Sequence, residues 1–362
     1  MGKHWLIIYT DYQSSFVKNH RWLPDAQQNL FYNHFMMSNS AQPLISIITP
    51  SYNQARYLER TMLSVFNQDY PAIEYMVVDG GSTDGSVDLI RKYAARLSWW
   101  VSEKDEGQAD AVNKGFQRAQ GKYIGWLNSD DLYLKGTISK AIQLLEQNAD
   151  VGFVFGDVQS IDADDTFFNL MCYGDWNLMD LMKFKIIGQP GVFMRADILK
   201  QAGGLDCSYH YLLDHHLWLR MGLLAGMKYS GQVWSAARYH ADAKNVANAA
   251  SFGQEAYRLV QWMEKEPAFS TILPPIHKQV SAGADRINAR YLLDGEQPRA
   301  AFVSYWRGLL KHPGSIMPEW HRMVFALLSM IGLNGIKKVF YLLKYRFTSR
   351  QNHQPEEPVS HE

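Results

Sequence analysis

From residue 44 onward the chain alternates two kinds of apolar pattern. Continuous apolar runs of strand length occur at LISIITP (44–50), IEYMVVD (73–79), WWVSE (99–103), KYIGWLN (122–128) and VGFVFGDV (151–158). Between them lie stretches with apolar residues at helical spacing. In QARYLERTMLSVFNQ (54–68) these are Leu58, Met62, Val65 and Phe66. SVDLIRKYAARL (86–97), GQADAVNKGFQRAQ (107–120) and TISKAIQLLEQN (137–148) follow, and Ala111, Gly115 and Ala119 share one face of the 107–120 stretch. Strands that are apolar throughout, alternating with helices, predict an α/β fold: a mainly parallel sheet flanked by helices.

Past Asp157 the rhythm changes. QSIDADDTFFNLMCYG (159–174) reads as a hairpin or irregular excursion, and GQPGVFMR (188–195) as a strand opened by a Gly-Pro turn. LLDHHLWLRMGLLAG (212–226) reads as a helix beginning at Asp214, and KYSGQVWSAARYH (228–240) as a strand. Beyond Asn245 the pattern is helical in 251–263, 276–293 and 298–313. The organisation expected is an N-terminal extension (1–43), an α/β domain (44–245), a C-terminal helical region (246–350) and a polar tail (351–362). The extension shows no clear period, so it is expected to be non-native or poorly ordered, with Met36 or Met37 as alternative starts.

Charge narrows the partners. The 36 Lys and Arg balance 36 Asp and Glu, which gives no general drive toward nucleic acid, and none is expected as a partner. Cys172 and Cys207 are too few for a disulfide framework and fit a reducing, cytoplasmic compartment. HWLIIYT, followed at once by Asp11, is too short for a secretory signal. Met323–Leu343 is strongly apolar but interrupted by Asn334, Lys337 and Lys338. It reads either as an amphipathic helix in peripheral contact with the inner face of a membrane, through residues 323–347, or as a helix packed on its own protein.

In a parallel sheet, ligands bind beyond the carboxyl ends of the strands. Here those ends carry Thr49–Asn53, then Asp79 and Asp84, then Glu103, then Asn128, Asp130 and Asp131, then Asp157. Carboxylates gathered at one edge repel unless a cation or donors compensate them. Asp130 and Asp131 supply hard oxygen ligands suited to Mg²⁺ or Mn²⁺, or else cap the next helix. Asp79, beside Gly80 and Gly81, is placed to accept a hydrogen bond from a nucleotide base, or is an ordinary turn residue. Asp214 is a general base or a helix cap; His240 is a metal ligand or a structural histidine. Neither a P-loop nor a GxGxxG run is present, and TPSYNQARYL is not the basic, glycine-rich loop of a nucleotidyltransferase.

Together ISIITPSYNQARYLERTMLSVFNQ, EYMVVDGGSTDGSVDLI, DEGQADAVNKGFQRAQGKYIGWLNSDD and LLDHHLWLR resemble the family 2 glycosyltransferases, inverting enzymes with a glycosyltransferase A (GT-A) fold. The resemblance spans residues 44 to about 240. It implies that Pro50, Tyr52, Asp79, Asp110 and Asn128 line the nucleotide. Asp130 and His240 would hold Mg²⁺ or Mn²⁺, Asp131 would support them, Gln189 and Pro190 would face the acceptor, and Asp214 would be the catalytic base. The implied activity is sugar transfer from a UDP-sugar to a glycan or lipid-linked hydroxyl. The alternative is a non-catalytic scaffold that keeps the nucleotide-sugar fold and recruits partners through its C-terminal helices. Three positions depart from the family pattern: Asn128 replaces an Asp, Gly80 replaces a second Asp, and Val112 replaces a phosphate-touching arginine.

Overall fold

The structure is a computed structural model that describes residues 42–240 and 249–331. Expectations for the extension up to residue 41, for residues 332–350 and for the polar tail lie outside the described residues. The first half follows the predicted alternation: β1 (Ile45–Ser51), α1 (Ala55–Phe66), β2 (Ile73–Asp79), α2 (Ser86–Tyr93), β3 (Trp99–Ser102), α3 (Gln108–Arg118) and β4 (Tyr123–Trp126). Next come β5 (Leu132–Tyr133), α4 (Thr137–Gln147), β6 (Val151–Ile161), β7 (Phe167–Met171), α5 (Leu178–Met182), β8 (Val192–Arg195), α6 (Ala196–Ala202), α7 (Leu213–Leu224) and β9 (Gly226–Arg238). Five helices finish the described chain: α8 (Ala249–Lys265), α9 (His277–Asp294), α10 (Pro298–Lys311), α11 (Pro313–Ile316) and α12 (Trp320–Met330).

One sheet runs in the order β3-β2-β1-β4-β8-β6-β9-β5, with β7 paired to β6. The β3-β2-β1-β4 half is parallel, as its apolar runs predict. β8 then enters antiparallel between β4 and β6, so the second half is mixed. The 159–174 excursion is the β6–β7 hairpin.

Both faces of the sheet are covered, which is why its strands show no polar face. Ile45, Ile47, Tyr75 and Val77 enter the core under α1 and α4, with Leu58, Met62, Val65, Ile138 and Leu145. Their neighbours in sequence, Ile48, Met76 and Val78, point the other way, as period-2 geometry requires, onto Val112, Phe153, Phe155 and Trp218. Phe252, Ala256, Leu259 and Met263 of α8 and Val280, Ala284 and Ile287 of α9 join this second core. The helices after the sheet are thus part of its packing. Among the described residues no helix is long and apolar enough to cross a membrane.

Gly115 lets α3 lie close on β1: a Cβ there would sit 2.5 Å from Ile48 Cγ2 and 2.8 Å from Cγ1. Ile48 is fully buried and β-branched, so it has little freedom to yield. Gly115→Ala is therefore expected to destabilise by about 1–3 kcal/mol through overpacking, against the gain in helix propensity, as read by chemical denaturation.

Candidate active site

The carboxyl ends of β1, β2 and β4 and the segments flanking β5 and β9 form the site. The parallel register pairs Ser51 with Asp79, which sets Pro50–Tyr52 beside Asp79. Tyr52 is 63% exposed, a flat ring open to a ligand. Asp79 is fully buried, and its carboxylate accepts from Gly81 N (3.1 Å), Ser82 N (2.9 Å), Ser82 Oγ (2.5 Å) and Ser102 Oγ (2.7 Å). Four donors compensate the buried charge and tie the β2 and β3 ends together. Ser82 Oγ also accepts from Asn53 N (2.8 Å), while Asn53 Oδ1 accepts from Thr83 N (2.8 Å), which locks the β1 loop to the β2 loop.

Gly80, where the family pattern has a second Asp, has a physical cause. A Cβ at that position would lie 2.5 Å from Asp105 Oδ2, so the Asp105 carboxylate fills the space beside Asp79. Sequence reasoning did not single out Asp105. Asp110 sits on the first turn of α3, where it accepts from Glu106 N (3.1 Å) and pairs with Lys114 (3.3 Å). Val112 is fully buried in the core.

The pair that opens the question of chemistry, Asp130 and Asp131, lies on the turn between β4 and β5. β5 pairs antiparallel with β9, Leu132 opposite Ala236. Continuing that register by two residues brings Asp130 opposite Arg238 and close to His240. His240 Nε2 lies 3.1 Å from Asp130 Oδ2, and its ring centroid lies 4.8 Å from that of Tyr57 in a tilted contact. Asp131 is buried and accepts from Arg238 N (2.9 Å) and Asn128 Nδ2 (3.2 Å). Burial, and then the neighbouring Asp130 charge, pushes its carboxyl well above the usual range. Asn128 Oδ1 in turn accepts from Gln108 Nε2 (2.7 Å) and Trp126 Nε1 (2.9 Å). Asp130 keeps 19% of its side chain exposed, while the His240 side chain beside it is buried at 5%.

Two ligands of this kind, a carboxylate oxygen and an imidazole nitrogen, fit Mn²⁺ or Mg²⁺ provided the ion draws its other ligands from a bound diphosphate. The fully buried His240 Nδ1 has no hydrogen-bond partner. Among the described residues no group of three or more His, Cys, Asp or Glu side chains is gathered to hold an ion alone.

Arg238, absent from the sequence-based candidates, holds this corner. Its guanidinium is fully buried; Nε donates to Asp130 O (2.9 Å), Nη1 to Asp162 O (2.9 Å), and Nη2 pairs with Asp165 (2.5 Å). It also lies 4.8 Å over the Tyr57 ring. Gln189 and Pro190 are buried rather than presented to solvent. Gln189 Nε2 donates to Trp126 O (2.5 Å) and fixes the end of β4, while its Oε1 has no hydrogen-bond partner.

Asp214 lies in the first turn of α7, which begins one residue earlier than predicted, at Leu213. His215 N donates to its Oδ1 (2.7 Å). Burial pushes its carboxyl up to about 6. The loop that presents it is held by Glu255 of α8, whose carboxylate accepts from His210 N (2.7 Å), Tyr211 N (2.8 Å) and Leu212 N (2.7 Å). Glu255 carried no signal in the sequence beyond a charge on a helix. Tyr291 of α9 is within electrostatic reach of both Tyr239 and Asp214, and Tyr239 within reach of Asp131.

The rest of the predicted acidic edge is spent internally. Asp84 accepts from Ala55 N (2.8 Å) at the start of α1 and from Ser86 N (3.0 Å) at the start of α2. Glu103 pairs with Lys114 (3.0 Å), and Asp157 accepts from Tyr173 N (2.9 Å) and Tyr229 Oη (2.8 Å).

Residues 46–192 match the family model described as Glycosyl transferase family 2. A Bacillus subtilis protein, TuaG, whose name assigns it to teichuronic acid biosynthesis as a glycosyltransferase, is 35% identical over 152 residues, 41% of this chain and 60% of that protein. An uncharacterized glycosyltransferase of Rickettsia typhi is 29% identical over 255 residues, 67% of this chain and 76% of the relative. Two solved structures share the fold. S. aureus TarS 1–349 in complex with UDP-GlcNAc has a TM-score of 0.52 at 14% identity, over 75% of this chain and 89% of that one. The Pyrobaculum calidifontis mannosyltransferase PcManGT in complex with GDP-Man and Mn²⁺ has a TM-score of 0.51 at 20% identity, over 81% and 88%. Residues 46–192 thus match the family 2 glycosyltransferases, within a GT-A-like fold.

Replacing Arg238 by Met keeps much of the volume but leaves Asp162 O and Asp165 facing a thioether. Arg238→Met is expected to cost about 2–4 kcal/mol in urea unfolding, below the full penalty for an unpaired buried charge because Asp165 keeps its contact with Arg60.

Proposed function

We propose that the chain transfers a sugar from a nucleotide diphosphate sugar of the UDP class to a hydroxyl of a glycan or lipid-linked acceptor, with inversion at the anomeric carbon. The observation that carries this reading is the Asp130–His240 pair, 3.1 Å apart, at the strand-end edge of a family 2 domain. The complexes of the two fold neighbours contain UDP-GlcNAc, and GDP-Man with Mn²⁺, which supports a nucleotide-sugar donor. The TuaG name supports a cell-envelope polysaccharide as the acceptor class.

Tyr52 and the loop organised by Asp79 would receive the base and ribose. A divalent cation seated by Asp130 and His240 would neutralise charge on the departing diphosphate. Asp214 takes the acceptor proton as the acceptor oxygen bonds to the anomeric carbon and the bond to the diphosphate oxygen breaks. One in-line displacement inverts the configuration. The raised Asp214 pKa suits this role: near neutrality the group is a carboxylate, yet a stronger base than an exposed Asp.

The direct test is a thermal-shift panel of nucleotide sugars with and without Mn²⁺, in which the true donor raises the melting temperature. Failure of every nucleotide sugar to do so overturns the reading. As general base, Asp214 must be deprotonated, so kcat/KM is expected to rise with pH through about 6 and level off above it. Asp214→Asn is expected to keep UDP binding and lose turnover by ~10²–10⁴-fold. Near-normal turnover would remove Asp214 as the base. Asp130→Ala is expected to weaken Mn²⁺-dependent UDP binding, measured by calorimetry, by about tenfold or more, the scale of one lost charge-assisted contact.

A further inference from the structure

The last helices leave large apolar side chains in water. On α10, Trp306 is 49% and Leu310 72% exposed; along α12, Trp320, Val324, Leu327 and the following Ile331 are 57%, 42%, 45% and 66% exposed. The spacing 320, 324, 327, 331 is that of one helical stripe. The opposite side of α12 is anchored, with Ala326 fully buried beside Leu293 and Ala301. α12 therefore packs on its own protein and still presents an apolar face outward. Single exposed apolar residues are ordinary, whereas rows on two packed helices with a tryptophan on each mark an interaction surface.

Charge distinguishes the occupant. Residues 277–350 hold 12 Lys and Arg against 4 Asp and Glu, in a chain balanced at 36 and 36. Three of those acids are consumed locally: Asp285 pairs with Arg307 and Lys311, Asp294 with Arg322, and Glu319 with Arg286 and Arg290. The excess therefore remains positive after every pair is formed. Residues 332–350, outside the described residues, contribute five of the basic side chains and no acid. A second copy docking face to face would set two basic regions against each other, which disfavours self-association. Tryptophan and leucine on a helix surface amid Lys and Arg suit the headgroup layer of a negatively charged bilayer.

We propose that the α10–α12 face docks on an anionic lipid surface, with Trp306, Leu310 and Trp320 entering the headgroup layer. This goes beyond the transfer reading and does not rest on it, since lipid binding is read without donor or acceptor. The test is co-sedimentation of the full-length chain with vesicles of pure phosphatidylcholine and of equimolar phosphatidylcholine and phosphatidylglycerol, across a salt series. Binding is expected on the phosphatidylglycerol vesicles, weaker on the neutral ones, and falling as salt rises. The double variant Leu310→Glu, Trp320→Glu replaces exposed side chains only. It is expected to keep the wild-type thermal midpoint and lose about tenfold or more in partitioning. Three results overturn the proposal: a full-length chain that stays in the supernatant, a double variant that binds vesicles like the wild type, or a wild-type dimer that the double variant splits, which would assign the face to a second copy.

Discussion

A buried guanidinium with nowhere to send its charge but three neighbouring segments organises this molecule. Arg238 reaches the Asp130 carbonyl on the β4–β5 turn, the Asp162 carbonyl and the Asp165 carboxylate on the β6–β7 hairpin turn, and the Tyr57 ring on α1. Its own backbone N–H holds Asp131. The planar fork of arginine serves several acceptors in fixed directions, which a lysine could not do. The geometry of the Asp130–His240 pair is thus a by-product of satisfying one cation. Asp131, buried and pushed toward its neutral form, takes the structural share of the carboxylate pair, and Asp130 keeps the more exposed side chain beside His240.

A second constraint comes from the helices after the sheet. Glu255 supplies a carboxylate to three successive amides, 210 to 212, just ahead of Asp214. Three backbone donors converging on one anion form an anion-binding nest, closed here by a side chain of the same protein. α8 is fastened to the sheet by Phe252, Ala256, Leu259 and Met263, so the position of Asp214 depends on packing contributed from outside the family 2 match at 46–192. The C-terminal helices are therefore part of the packing that positions Asp214, whatever else their outer face does.

The parallel half of the sheet was legible because its signals are local. Each strand is one apolar run and each helix one periodic stretch. The β4–β5–β9 corner was not. β5 is two residues long, and its partner lies about a hundred residues away, a register that no local pattern encodes. Arg238 and Glu255 went unseen for the same reason: each looks like a surface charge until the distant segment that needs it arrives. His240 and Asp130 were read separately, each as a candidate metal ligand at a strand end, and only the antiparallel register explains why they meet. The acidic edge was over-read, since Asp84, Glu103 and Asp157 each satisfy an amide, hydroxyl or ammonium of their own surroundings.

The departures from the family pattern become consistent in this light. Asn128 must accept from Gln108 and Trp126 through one atom and donate to Asp131 through another. Only an amide does both; an ionised Asp at 128 would have no donor for Asp131 and would add a third carboxylate to a pocket already short of cations. Gly80 gives up a carboxylate to the side, where Asp105 supplies one from the next loop. The β4–β5 turn keeps a single partly exposed carboxylate, and on the proposed reading a cation seated there would rely on the phosphates of its ligand as much as on the protein. Binding of ion and nucleotide would then be mutually dependent, each completing the coordination the other lacks.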